Sequence, residues 1–520
     1  MWYGAGPARD PLIDMRRPLA LVALVATLAA LPAPAALAAP DDFTFFGSGF
    51  GHGLGLSQWG AYGLAKEGWR PGRILTHFYS RTRVEPATNV PRTLRIGLAQ
   101  GRRKIHVEAR GGKVDLRLGG RRPSDTIATI PGRETWTIRE AGGKYRIIDA
   151  NGDRVGGPVG GTATDLFAVY EPNGARVDIP EASHTYARGY VEFNLYNCGA
   201  SCDIRLVLVI RPEPYLYGLA EVPSSWPMEA LRAQAIAARS YALSKAAAGQ
   251  HRPGCNCALY ATSFDQVYAG WDKEGGLDGE RWVQAVDDTA GQVVTFQHEV
   301  IQAFYMSSSG GHTEHNENVW GGSPVSWLRG VCDPGDYTTA NPSATWKVTL
   351  SAREVTQRLS LGIGTVRGFT NVDRGVSGRI LSATVKGENG TAVVNGGTLR
   401  SALGLRDDRV WINRNRQVVG AIRNKYDALG CGPGLATSRQ ARVAGGRRQA
   451  FEDATIFHSD ATGAHELHGA ILEFYEGKRG PKGRLGFPIT DVRKLKNGNQ
   501  RVSFEHGVVT CTPTGACSIS

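Results

Sequence analysis

Glu221 is the residue of this sequence whose surroundings best suit acid–base chemistry. It stands in Tyr215-Leu-Tyr-Gly218-Leu-Ala-Glu221-Val-Pro-Ser-Ser-Trp226-Pro, flanked by apolar residues and close to Trp226. A carboxyl in such surroundings is desolvated, which raises its pKa and keeps part of it protonated near neutral pH. A general acid for glycosidic cleavage requires that state. Glu229 falls in the first turn of the helix that follows, where a solvated carboxylate stabilised by the helix dipole is expected.

Two other segments offer polar groups. In Gly49-Phe50-Gly51-His52-Gly53-Leu54-Gly55-Leu56-Ser57-Gln58 the glycines alternate with period two. They neither open a G-x-G-x-x-G turn nor precede Gly-Lys-Ser/Thr, which excludes a phosphate loop. Alternating glycines suit a strand that another backbone or an extended ligand approaches closely. Either the strand is purely structural, or His52, Ser57 and Gln58 offer hydrogen bonds to a polar polymer. The second segment, Ser307-Ser308-Ser309-Gly310-Gly311-His312-Thr313-Glu314, reads as a polar loop lining a saccharide cleft or as an ordinary Ser/Gly turn. Ser309 lacks the G-x-S-x-G frame of a nucleophile. His465-Glu466-Leu467-His468 has the wrong spacing for two zinc ligands on one helical face, so a metalloprotease is excluded.

These groups belong to an exported chain. Met15-Arg16-Arg17, an apolar run from Leu19 to Leu31, Pro32-Ala33-Pro34 and Ala36-Leu37-Ala38 read as a signal peptide over residues 1–38, with translation starting at Met15 and cleavage after Ala38. A membrane anchor needs about 20 apolar residues, and nothing after the signal peptide is apolar enough to span a bilayer. Leaving aside the three basic and two acidic residues before position 39, 57 Lys and Arg face 46 Asp and Glu, a net charge near +11. Such a surface suits an anionic wall polymer, and export argues against nucleic acid. Of the eight cysteines, Cys198 with Cys202 and Cys511 with Cys517 are spaced for small disulfide loops. Cys255 and Cys257 are too close for an ordinary mutual bridge, so each is expected to pair elsewhere, with Cys332 or Cys431 as partners. A zinc site from His251, Cys255 and Cys257 is the competing reading, but it lacks a fourth ligand.

The fold class expected is α+β and β-rich. Residues 94–210 alternate apolar and polar residues between Gly pairs, as in Lys104-Ile-His-Val-Glu-Ala, and form a β-rich insert or subdomain. An Ala-rich helix is expected from Ser225, its cap, to about Ala247, burying the face of Met228, Leu231, Ala235, Ala238 and Ala242. After Val418 a repeat of about 50 residues begins: Gly420-Ala421-Ile422 recurs as Gly469-Ala470-Ile471, and Phe451-Glu452 as Phe504-Glu505.

Together these motifs resemble the SpoIID/LytB family, which includes the sporulation peptidoglycan lytic transglycosylase and the amidase enhancers. The resemblance spans residues 43–415. It rests on the block at 215–241, Asp265-Gln-Val-Tyr-Ala-Gly270, the Ser309–Gly321 loop, the Gly47–Gln58 block, and the closing segments Gly378-Arg379-Ile380 and Leu399–Leu403. It implies that Glu221 is the catalytic acid/base of a lytic transglycosylase acting on glycan strands. It further implies substrate-binding roles for His52, Ser57, Gln58, Trp226, Gln234, Arg239, Tyr241, Ser309, Thr313 and Glu314, with no metal and no cofactor. A non-catalytic amidase enhancer or wall-binding protein is the alternative, and its partners would be peptidoglycan, other wall polymers or an amidase. Two departures stand out. The Gly-His-Gly block comes first here instead of last, as in a circular permutation, which nearby chain termini would tolerate. Ser263-Phe264-Asp265-Gln266 also replaces a zinc-associated Thr-His-Cys-Gln motif of some members. Residues 416–520, with Leu485-Gly486-Phe487-Pro488, resemble the LGFP repeats of actinobacterial wall proteins, which implies a wall-binding module or a spacer.

Overall fold

The structure, a computed structural model, describes residues 41–88 and 90–520; the expected signal peptide lies outside them. The alternation between Leu94 and Ile210 folds as two antiparallel sheets over one core. The larger sheet runs Leu94–Arg102, Asp203–Ile210, Tyr190–Tyr196, Leu166–Val169, Val114–Leu118, Thr126–Ile130, with Leu259–Tyr260 added in parallel at its edge. The smaller runs His184–Tyr186, Arg176–Ile179, Lys104–Arg110, Thr135–Glu140, Tyr145–Ile148. Period-two burial places Ile96, Ile105, Val107, Phe193 and Leu206 in the interior.

The Ala-rich helix spans Met228–Ala248, and Pro227, not Ser225, is its N-cap. Ser225 instead sits inside a turn closed by the Trp226 N–H on the Pro223 carbonyl. The helix is also buried nearly all round, not on one face. Helices Gln58–Lys66, Pro71–Phe78 and Gly279–Asp287 and the strand Gln292–Phe296 surround it, and its alanines let them come close.

The Gly49–Gly55 run is a loop, not a strand. Its four glycines all have positive φ, from 70° to 146°, a conformation open to residues without a Cβ. A Cβ at Gly55 would lie 2.0 Å from the Phe304 carbonyl oxygen, and one at Gly53 would lie 2.6 Å from Arg379 Nε. Close approach is thus what the glycines allow, but the neighbour is the chain itself.

Just before this loop, the strand Asp42–Gly47 lies between Trp346–Ser351 and Val410–Ile412, antiparallel to both. The first block therefore sits beside the closing segments. With the sheet Val366–Arg374, Ile380–Gly387, Gly390–Asn395 and the helices Ala352–Leu359 and Gly396–Leu403, it shares a second core.

After residue 416 the repeat is complete in structure twice over. Each copy has one helix, Gly420–Ala428 or Gly469–Gly477, followed by a four-stranded antiparallel meander. Tyr426 stacks on Phe451 as Tyr475 stacks on Phe504, with centroids 5.1 and 4.7 Å apart. Gly434 abuts Glu452 as Gly486 abuts Glu505, so the first copy keeps its geometry although its Leu-Gly-Phe-Pro motif is lost.

All eight cysteines are bridged. Cys198–Cys202 and Cys511–Cys517 pair as their spacing suggests. Cys255 and Cys257 pair with each other, and Cys332 with Cys431, contrary to the expected pairing. Asn256 adopts φ 54°, which turns both flanking side chains to one side, with Cα atoms 5.1 Å apart. The competing zinc reading loses both thiols to that bridge. A possible metal-ligand set among the described residues, Cys332, Asp427 and Cys431, likewise has both sulfurs in a disulfide. No helix among the described residues is long and apolar enough to cross a membrane.

Candidate active site

Glu221 lies in the connection between the short helix Pro212–Tyr217 and the central helix. The Ala220 N–H donates to the Val267 carbonyl at 2.9 Å, and the Val267 N–H donates back to Glu221 Oε1 at 2.6 Å. Leu219 also bridges to Tyr268. The Asp265–Gly270 block therefore holds the Glu221 turn in place.

Behind the carboxyl runs a buried relay. The Tyr215 hydroxyl donates to Gln266 Oε1 at 3.0 Å, and Gln266 Nε2 donates to the Tyr305 hydroxyl at 2.9 Å and to the Ala238 carbonyl at 3.2 Å. With Gln266 donating to it, the Tyr305 oxygen directs its own proton to Glu221, and Gln58 also bonds that carboxyl. Burial raises the Glu221 pKa above the usual carboxylate value and outweighs Val267, Tyr305 and Gln58, which favour the charge. Tyr305→Phe removes one of these charge-favouring groups. Its expected result is a further rise in the Glu221 pKa, read by NMR titration of the side-chain carboxyl.

The carboxyl opens into a cleft of about 470 Å³ lined by Phe50, His52, Gln58, Tyr241, Ser263, Phe264, Asp265, Phe304, Tyr305 and Trp320, among others. Asp265 is the second carboxylate there, but it is fully engaged. Lys245 lies 3.2 Å away, Arg252 pairs with its other oxygen, the Tyr260 N–H donates at 2.8 Å and the Tyr241 hydroxyl at 3.1 Å. Burial opposes its charge, yet Tyr260 and the two cations hold its pKa below the usual range. His52 receives the Leu54 N–H on Nδ1 at 3.1 Å, so Nε2 carries the proton and donates to the Tyr305 carbonyl at 3.1 Å. Burial, with Arg379 and Arg400 nearby, lowers its pKa to about 4, so it is neutral near pH 7. The mouth is aromatic: Phe264 is 72% exposed, Trp320 52% and Phe50 47%. Phe264 occupies the segment that departs from the zinc-associated motif.

Of the residues expected in the site, Glu221, His52, Gln58 and Tyr241 line this cleft; the other seven do not. Ser57 caps the Gln58–Lys66 helix and donates to Asp336 at 2.9 Å, while Ser309 donates to Asp333 at 2.6 Å. Burial and the neighbouring Asp336 push the Asp333 pKa well up. Thr313 accepts the Val331 N–H at 2.8 Å, and Glu314 accepts the Ser377 hydroxyl at 2.5 Å. Arg239 is buried against Glu213 at 2.7 Å and donates to the Val286 and Gln292 carbonyls. Gln234 is inside the core, and Trp226 packs on Trp59 and Tyr62, with centroids 4.7 and 5.2 Å apart. Ser57, Arg239, Ser309, Thr313 and Glu314 build the scaffold because their polar atoms bond the chain, whereas both amide atoms of the buried Gln234 have no hydrogen-bond partner. Tyr305, Gln266, Val267 and the three mouth aromatics were not singled out from sequence. The Asp265–Gly270 block was the signal that marked two of them.

Residues 201–296 match the SpoIID family, described as Stage II sporulation protein, and residues 434–483 match the LGFP repeat. The amidase enhancer of Bacillus subtilis is 34% identical over 135 residues, 26% of this chain and 16% of that protein. The stage II sporulation protein D of Bacillus amyloliquefaciens is 29% identical over 239 residues, 43% of this chain and 65% of the relative. That of Bacillus subtilis is 30% identical over 222 residues, 40% and 62% of the two chains. In each case the match spans less than two thirds of the relative's length.

Proposed function

We propose that this chain, which carries a SpoIID-family domain and an LGFP repeat, is an exported, wall-associated protein that cleaves peptidoglycan glycan strands as a lytic transglycosylase. The observation that carries this reading is the Glu221 carboxyl, with its pKa raised by burial, opening into a largely apolar cleft rimmed by exposed aromatics. Glu221 donates its proton to the oxygen that links N-acetylmuramic acid to N-acetylglucosamine, and the C1–O bond breaks. The carboxylate so formed takes the proton of the muramic sugar's own 6-hydroxyl, whose oxygen bonds C1 and closes an anhydro ring. No water is consumed, and the carboxyl ends as it began. Ordinary glycosidases use two carboxyl groups. Here the second carboxylate of the cleft, Asp265, is neutralised by Lys245 and Arg252.

The aromatic mouth supports a sugar polymer as ligand, since flat rings suit the C–H faces of pyranose units. Stacking of this kind is worth about 1 kcal/mol. Phe264→Ala and Trp320→Ala are each expected to raise KM about fivefold while changing kcat little, measured on soluble glycan strands.

A second reading, a non-catalytic amidase enhancer, is favoured by the relative of that name. Incubating the purified chain with glycan strands stripped of stem peptides separates the two. New strand ends are expected; their absence, with binding retained, would leave the enhancer reading.

A further inference from the structure

A second hollow, of about 370 Å³, lies where the strand Val366–Arg374 meets Val410–Ile412 and the residues after it. Phe369, Val372, Arg374, Trp411, Ile412, Arg414 and Arg416 line it, and none of them lines the Glu221 cleft. Three of the seven are arginines and none is acidic. Arg374 is held by carbonyls, not by a carboxylate: its two Nη atoms donate to Gly378 at 2.5 Å and to Val410 at 2.7 Å. Its guanidinium lies 5.2 Å from the Trp411 ring, and that of Arg409 lies 5.3 Å from the same ring. Arg409 is buried and donates to the Ser377 carbonyl at 2.5 Å and to the Ser48 hydroxyl.

Asp408 acts on Arg374 and Asp407 on Arg409, but both carboxylates are already paired with Arg379; the crowded guanidinium groups still repel one another, and an incoming oxyanion relieves that repulsion. Burial, with Arg409 and Arg416 beside it, lowers the Arg374 pKa to about 10, as such crowding requires. Arginine also presents a planar fork that matches phosphate and carboxylate oxygens. Beside the fork, Phe369, Val372 and Ile412 supply apolar surface of the kind that covers a sugar's C–H face.

We propose that this hollow binds an oxyanion carried on a saccharide, either a phosphorylated sugar or the lactyl carboxylate of muramic acid. The site is independent of Glu221 and would give the chain a second hold on an anionic glycopolymer.

The test is titration calorimetry of the exported chain at low salt with four probes: a phosphorylated N-acetylglucosamine, N-acetylmuramic acid, neutral N-acetylglucosamine and inorganic phosphate. At least one anionic sugar is expected to bind more tightly than the neutral sugar. The double variant Arg414→Ala/Arg416→Ala should weaken that binding at least tenfold, and Glu221→Gln should leave it unchanged. Preference for the phosphorylated sugar supports a phosphate-bearing polymer as the source; preference for muramic acid supports the glycan strand itself. Arg414 is exposed and Arg416 partly so, so an unchanged melting temperature will show that the double variant is folded. Equal binding of neutral and anionic sugars, or undiminished binding by the folded double variant, would overturn the site. Inorganic phosphate binding as tightly as the phosphorylated sugar would overturn its saccharide character.

Discussion

Glu221→Gln is expected to lower the release of anhydro-ended fragments from glycan strands by about 10²–10⁴-fold, the usual contribution of a positioned general acid. The amide has the shape of the carboxyl and keeps an oxygen for the Val267 N–H. It cannot give up a proton to the glycosidic oxygen or take one from the 6-hydroxyl, so both halves of the proposed cycle fail together. The variant should also fold, and be more stable than the parent at pH 7. Burial raises the Glu221 pKa above its unfolded value. Between those two values the native chain holds a proton that the unfolded chain has released, so the parent's stability falls as pH rises through that window. Glutamine has no such dependence. A thermal melt at pH 7 alongside the activity assay separates lost chemistry from lost structure. Undiminished release would remove Glu221 from its role.

Breaking the Cys332–Cys431 bridge should give the largest loss of stability. The bridge closes a loop with a sequence separation of 99, and the chain-entropy relation assigns such a loop about 4–5 kcal/mol. It joins the segment just before the buried Asp333 and Asp336 to the first repeat helix region, from which Arg423 also approaches Gly311 and lies 5.0 Å from the Tyr337 ring. Cys332→Ser/Cys431→Ser is expected to lower Tm by roughly 5–10 °C. A reducing agent should lower the parent's Tm by more than the variant's, since the variant keeps only the three short-loop bridges. Neither Cys332 nor Cys431 lines the Glu221 cleft. Activity at low temperature should therefore outlast the lost stability. An unchanged Tm would mean that the repeat and the front domain fold without need of the link.

How much of this was legible follows from the range of the forces involved. Glu221 could be read because its motif is contiguous and its apolar neighbours announce desolvation. The strands of residues 94–210 could be read because one face of each is buried, which writes a period of two. The relay Tyr215–Gln266–Tyr305 could not, because it joins three residues up to 90 positions apart that are each unremarkable alone. Arg239 and Glu314 misled for a related reason. A charged residue in a motif suggests a ligand, but here Glu213 and Ser377 already satisfy them. The Cys255–Cys257 bridge depends on a left-handed Asn256, a backbone choice that cysteine spacing does not reveal. The first repeat copy has Gly434-Leu435-Ala436 where the second has Gly486-Phe487-Pro488, so its side chains have changed while Gly434 and Glu452 preserve its turn.

The most direct test of a single-carboxyl ring closure at Glu221 is the mass of the products formed from peptide-free glycan strands in water enriched in heavy oxygen. An intramolecular attack by the 6-hydroxyl predicts fragments lighter by one water than reducing fragments and free of solvent oxygen. Reducing ends that carry the heavy label would contradict it, and would point to hydrolysis with a second carboxylate at work.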